Sequence, residues 1–169
     1  MKKVLIIDTS ILCVLLEVPE KDTCGSTENF WNKAKVDDIL NKEEAEKTTF
    51  VLPLAAIIET GNHIAQASSK RYETAQEFAK LIKLTADNTT PWAAFTEQSH
   101  LWDAEKLKEL ADEFPELAKQ KLSLGDATIT RVADYYSRLG YSVEILTGDE
   151  GLKAYEPSQP PLIPRRRKK

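Results

Sequence analysis

Two short β-branched runs, VLII at residues 4–7 and VEIL at residues 143–146, each run into a carboxylate, Asp8 directly and Asp149 through Thr147 and Gly148. Runs of this kind make parallel strands buried on both faces. In open α/β sheets the working crevice lies outside the carboxyl ends of such strands, where the strand order reverses. An acid ending a strand there points into the crevice. A third run, TFVL at 49–52, stops at Pro53 and hands over to a segment with helical periodicity.

The rest of the chain alternates in the same way. Asp8, Thr9 and Ser10 are good helix-entry residues, and residues 11–18 continue as a short helix that ends near Pro19. Residues 20–29 are polar and turn-rich, a loop. Phe30, Trp31, Ala34, Val36, Ile39 and Leu40 recur near helical spacing and predict a helix through residue 46. Helices are also expected for the segment carrying Glu59, for 68–84, and for 101–114 with a boundary at Pro115. Residues 87–99 interrupt this pattern, and another helix begins at Gly125 and Asp126 and stops at Gly140. After Tyr155 the prolines permit one short edge strand at most, around Leu162 and Ile163, before the basic end RRRKK. Strand and helix in alternation favour a parallel sheet covered on both faces.

The expected organisation is one domain, residues 1–156, and a Pro-rich basic tail, 157–169. A hydrophobic share of 41% and a charged share of 30% suit a soluble globular protein, and no apolar run approaches the roughly 20 residues that span a bilayer. The basic, apolar opening fails as a secretory signal because Asp8 interrupts it and no small-residue cleavage site follows. Cytoplasmic residence is the expectation. Cys13 sits in an apolar run and reads as a small core hydrophobe. A bridge to Cys24, the other cysteine, is disfavoured in a reducing compartment. The net charge of −4 decides little about nucleic acid, since bound cations would offset several acids and the last five residues are all positive.

Four acids are the candidate site: Asp8, Glu59, Asp126 and Asp149. Taken singly each has an ordinary use, as a helix cap, an exposed helix position, a helix-start charge or a turn residue. Taken together they form a carboxylate cup suited to a hard cation such as Mg²⁺ or Mn²⁺. Two unit charges about 4 Å apart interact with roughly 4 kcal/mol at an effective dielectric of about 20, so the cluster calls for neutralisation. His63, four residues after Glu59, shares its helix face; it reads first as a packed or surface histidine, with a general-acid role as the alternative. Trp31, Trp92 and Trp102 are better suited to packing than to base stacking.

In the motifs IIDTSIL at 6–12, LAAIIETGN at 54–62, LSLGDATI at 122–129 and ILTGDEGL at 145–152, the chain resembles the PIN-domain nucleases, and among them the VapC-type toxins. The resemblance covers residues 3–155, with longer intervals between Asp8, Glu59 and Asp126 than compact members have. It implies a three-layer α/β/α sandwich around a twisted, mostly parallel sheet of about five strands. It implies metal-dependent endoribonuclease activity, with Asp8, Asp126 and Asp149 holding Mg²⁺ or Mn²⁺ and Glu59 as ligand or partner through water. Ser10 and Thr147 would orient the carboxylates, and no covalent intermediate would form. RNA as substrate, a small antitoxin protein as partner and a homodimer are implied in the same way. Two other readings are a PIN-like module that binds RNA or protein without cutting, and a phosphatase of the haloacid-dehalogenase type. The latter needs a second Asp two positions after the first, where Ser10 stands.

Overall fold

Period-two alternation along the first strand decides the architecture. In β1 (Lys3–Ile7), Leu5 and Ile7 face one side and Val4 and Ile6 the other, all of them buried. A strand apolar on both faces must be covered twice, and the computed structural model, which describes residues 1–97 and 99–159, covers it twice.

The chain continues through α1 (Thr9–Leu15), a short antiparallel pair of β2 (Cys24–Gly25) and β3 (Phe30–Trp31), α2 (Lys33–Ala45), β4 (Thr49–Leu52), α3 (Leu54–Gln66) and α4 (Arg71–Ala86). It then forms β5 (Trp92–Ala94), α5 (Ser99–Trp102), α6 (Ala104–Lys119), α7 (Leu124–Arg138), β6 (Ser142–Leu146) and α8 (Glu150–Lys153). β1 pairs in parallel with β4 and with β6, and β4 with β5, giving the order β5-β4-β1-β6. On one face Leu5, Ile7, Phe50, Leu52 and Leu146 pack with residues of α1 to α4. On the other, Val4, Ile6, Val51, Val143 and Ile145 pack with Ile129, Val132 and Ala133 of α7 and Leu152 of α8. The protein is therefore α/β, a parallel sheet flanked by helices, compatible with a three-layer sandwich. No helix among the described residues is long and apolar enough to cross a membrane.

Several expectations need correction. The main sheet has four strands among the described residues rather than about five, and residues 162–163 lie outside them. Phe30 and Trp31 belong to a strand, because Asn32 caps α2 by accepting from the Lys35 amide. The region 87–99 holds β5, which Phe50 and Trp92 fix by an edge-to-face ring contact at 5.3 Å. Pro115 does not end α6, whose inward residues Leu110, Phe114 and Leu117 continue the helical period past it. The helix after β1 stops at Leu15, where Leu16 caps it and Glu17 turns the chain at φ +50°. Gly140, in contrast, sits after α7 at φ +85°, where a residue without Cβ carries no penalty.

What this topology does is gather strand ends. From β1 the chain steps outward to β4 and β5, then returns to the far side of β1 as β6. The strand order reverses between β1 and β6, so the crevice lies beyond Ile7 and Leu146. At the opposite end, Lys3 bridges Glu43 at 2.5 Å and Glu144 at 2.7 Å. Burial works to raise the Glu144 pKa, but hydrogen bonds and charge from Lys3 and Lys153 outweigh it and hold it below its ordinary 4.5. A depressed folded-state pKa contributes stability that is present above the unfolded value and lost as pH falls through the folded one. Urea denaturation should therefore show wild type more stable than Glu144→Gln at pH 6, with the difference vanishing as the pH falls below 4.5. A difference that persisted or grew in acid would contradict the pairing.

Candidate active site

Asp8 is placed by sheet pairing: its amide donates to the Leu146 carbonyl at 3.1 Å, one step beyond β1. Its side chain is 5% exposed. Oδ2 accepts from the Ser10 hydroxyl at 2.8 Å, the Thr147 hydroxyl at 2.8 Å and the Ser10 amide at 3.4 Å. The same two hydroxyls accept in turn, Ser10 Oγ from the Gly148 amide and Thr147 Oγ1 from the Asp149 amide, each at 3.0 Å. The turn after β6 is thereby tied to the turn after β1.

The other three acids arrive from separate elements. Glu59 lies on α3, which packs against both α1 and α7, and its Oε2 accepts from the Thr9 hydroxyl at 3.2 Å. Its carboxylate rests against the first turn of α7, so closely that a Cβ on Gly125 would overlap it. Asp126 closes a capping box with Ser123: each side chain accepts from the other's amide at 3.0 Å. Asp149 caps α8, accepting at Oδ1 from the amides of Gly151 at 2.8 Å and Leu152 at 3.4 Å. In each case these bonds engage a single oxygen. All four residues line one cavity of about 610 Å³, together with Ser10, Cys13, Cys24, Lys21, Asn62, His63 and Gln66.

Their charges interact. Burial raises the Asp8 pKa against the hydrogen bonds from Ser10 and Thr147, and the charge of Asp126 adds to the rise. Glu59 is raised by burial, opposed by the Thr9 hydroxyl, and raised further by Asp126 and Asp8. Hard carboxylate oxygens are the donor set that Mg²⁺ or Mn²⁺ takes. Among the described residues, however, no group of three or more His, Cys, Asp or Glu side chains is drawn together as a ready cage. Mg²⁺ does not require one, since it usually keeps several waters and is held by one or two carboxylates. The chemistry of the donors fits such an ion.

Comparison with known protein families, curated proteins and solved structures gives no match.

Nucleophilic chemistry by the protein itself is poorly provided for. Burial pushes the Cys13 thiol up to about 12 and raises Cys24 as well, so both remain thiols near neutrality. The Ser10 hydroxyl is committed to Asp8 and to the Gly148 amide. His63 is lowered from 6.5 by burial and by the charge of Lys21. Asn62 and Gln66 went unnoticed in the sequence, although their spacing of three and seven from Glu59 puts them on its helix face. No periodicity marks Lys21, which sits in the loop after α1.

A raised folded-state carboxyl pKa means that the folded protein takes up the proton more readily than the unfolded chain. The stabilisation is full below the unfolded value and is lost as pH rises through the folded value, so ionised Asp8 costs stability near pH 7. Asp8→Asn keeps an acceptor for the Ser10 and Thr147 hydroxyls. In metal-free buffer at pH 7 it should melt at a higher temperature than wild type, and the gap should close as pH falls. Scanning calorimetry showing a lower melting temperature for the variant would refute this account.

Proposed function

We propose that this chain is a divalent-metal-dependent endoribonuclease that hydrolyses RNA phosphodiester bonds, its parallel sheet being the core of a PIN-like α/β/α sandwich. One observation supports this above the rest: Asp8, Glu59, Asp126 and Asp149, far apart in sequence, line a single cavity beside the point where the strand order reverses. In this reading those four residues would hold Mg²⁺ or Mn²⁺. Such an ion, when bound, supplies neutralisation of the phosphoryl oxygens, an activated water and stabilisation of the leaving oxygen.

The chain's own residues account for the rest. Ser10 and Thr147 fix Asp8 through Oδ2, which sets the plane of its carboxylate. Thr9 steadies Glu59 across the gap between α1 and α3. Protonated thiols and an engaged serine leave water as the nucleophile, so the reaction proceeds without a covalent enzyme intermediate. Inhibition by a small antitoxin and homodimerisation would accompany a VapC-type identity.

A second reading is a PIN-like module that binds RNA or protein without cutting. The absence of a preformed group of three ligands among the described residues favours it. Activity and metal binding separate the two. Wild type should cleave single-stranded RNA with Mn²⁺, and Asp8→Asn or Asp126→Asn should each lower kcat by at least about 10²-fold, the scale on which losing a preorganised electrostatic group acts. Titration calorimetry should show Mn²⁺ binding that weakens in both variants. No Mn²⁺ binding at millimolar concentration, or undiminished cleavage by either variant, removes the enzyme reading.

Gly125→Ala offers a gentler probe. The added methyl displaces the Glu59 carboxylate while leaving every acid in the sequence. Because misplacing a site group by about 1 Å costs on the order of 10²-fold, kcat should fall by roughly that factor with little change in melting temperature. Unchanged kcat would remove Glu59 from the machinery.

A further inference from the structure

The acidic cavity extends beyond its four carboxylates. Along α3, Asn62, His63 and Gln66 follow Glu59 at three, four and seven positions and line the same cavity. Facing them from the loop after α1 is Lys21, whose charge acts on both His63 and Cys13. Lys21 is the one lysine or arginine among the described residues lining this cavity, and its ammonium makes no ion pair or hydrogen bond with them, although its backbone amide is bonded. Seven other lysines, Lys3, Lys33, Lys80, Lys106, Lys108, Lys119 and Lys153, pair with carboxylates away from this cavity, so what sets Lys21 apart is its place on the cavity wall.

The loop that presents Lys21 is built rather than slack. Val18 donates to the Cys13 carbonyl at 2.9 Å, Glu17 to Val14 at 3.1 Å, and Lys21 itself to Val18 at 2.9 Å. Glu17 and Glu20 both take the left-handed backbone region, at φ +50° and +67°. Glu17 closes α1 as the left-handed Lys47, Asn88 and Lys121 close α2, α4 and α6, whereas Glu20 lies within the loop itself. Glu20 stands immediately before Lys21 and lines the same cavity.

We propose that Lys21 and the Asn62–His63–Gln66 edge of α3 form a subsite for one nucleotide of single-stranded RNA beside the carboxylates, a proposal that rests on the nuclease reading. The ammonium holds that nucleotide's phosphate, and the amides of Asn62 and Gln66 take its unpaired base edge. An exposed base offers donors and acceptors together, which carboxamides can match and a carboxylate cannot. A cavity of about 610 Å³ falls within the ordinary range for small-ligand sites, roughly 300–1,000 Å³.

Binding of a fluorescein-labelled single-stranded decamer RNA, followed by anisotropy with Ca²⁺ over a range of salt, tests the subsite apart from chemistry. Lys21→Ala should weaken binding about tenfold, the scale of one charge-assisted hydrogen bond. It should also reduce the slope of log K against log salt by about 0.7, the value for one phosphate contact on a single strand. Lys21→Arg should restore the slope. Asn62→Ala with Gln66→Ala should leave the slope alone and, in Mn²⁺, change which bases flank the cut. If wild type cuts RNA but Lys21→Ala matches it in affinity and slope, the subsite is wrong and the nuclease reading stands. If wild type binds with a Lys21-dependent slope and never cuts, the subsite stands and the nuclease reading falls. RNA binding without any salt dependence overturns the subsite.

Discussion

A carboxylate buried at the end of the central strand is the constraint around which this protein is arranged. β1 is enclosed by β4 and β6 and by core on both faces, so the residue that follows it emerges into a place with little water. Burying a charge is expensive unless hydrogen bonds replace the lost hydration. Asp8 receives them from Ser10 and Thr147, and those hydroxyls are themselves held by the amides of Gly148 and Asp149. Local satisfaction of one side chain thus fixes the relative position of two loops from opposite ends of the chain. The cavity inherits its floor from that requirement.

Three of the four acids begin helices as well as line the cavity. Asp8 precedes α1, Asp126 lies in the first turn of α7, and Asp149 precedes α8. The unpaired amides and dipole of a helix start favour negative charge, by typically 0.3–1 kcal/mol each. Part of the mutual repulsion of the acids is offset in this way even with no ion bound. Glu59, pressed against the first turn of α7, has a similar neighbourhood without being a cap. Capping and site function are not alternatives here. One oxygen serves the backbone or a hydroxyl, and the carboxylate as a whole still borders the cavity.

This dual use explains what could and could not be read from the chain. β4 has the limits its composition predicts, Thr49–Leu52, and β1 and β6 each extend one residue earlier than their apolar runs. Those strands are buried on both faces, so their own residues declare them. β5 does not, because Trp-Ala-Ala has little strand character and depends on the edge of β4 for its pairing. The β2–β3 pair is equally silent: two residues on each side leave no alternation to detect. Around Pro115 the amphipathic period outweighs the local breaker, at a position where the proline rule alone would end the helix. Each acid carried an equally good local explanation, and only the crossing of β6 to the far side of β1 brings Asp8 and Asp149 together. Lys21 had no signal, since it stands in a loop with no period.

Charge finally bears on the choice between cutting and merely binding. Among the described residues, Asp8, Glu20, Glu59, Asp126 and Asp149 border the cavity, against a single ammonium from Lys21. A polyanion approaching that surface is repelled unless something neutralises it, and attraction between exposed charges fades within about 8 Å at physiological salt. A module that held RNA without a cation would gain nothing from these acids and would lose affinity to each of them. With a hard cation on the carboxylates, as proposed, the same cavity would attract phosphate, and Lys21 on its wall would be placed for a second one. In the proposed reading an ion offsets what the helix starts leave uncompensated, and cation-dependent phosphodiester chemistry would follow from that recruitment.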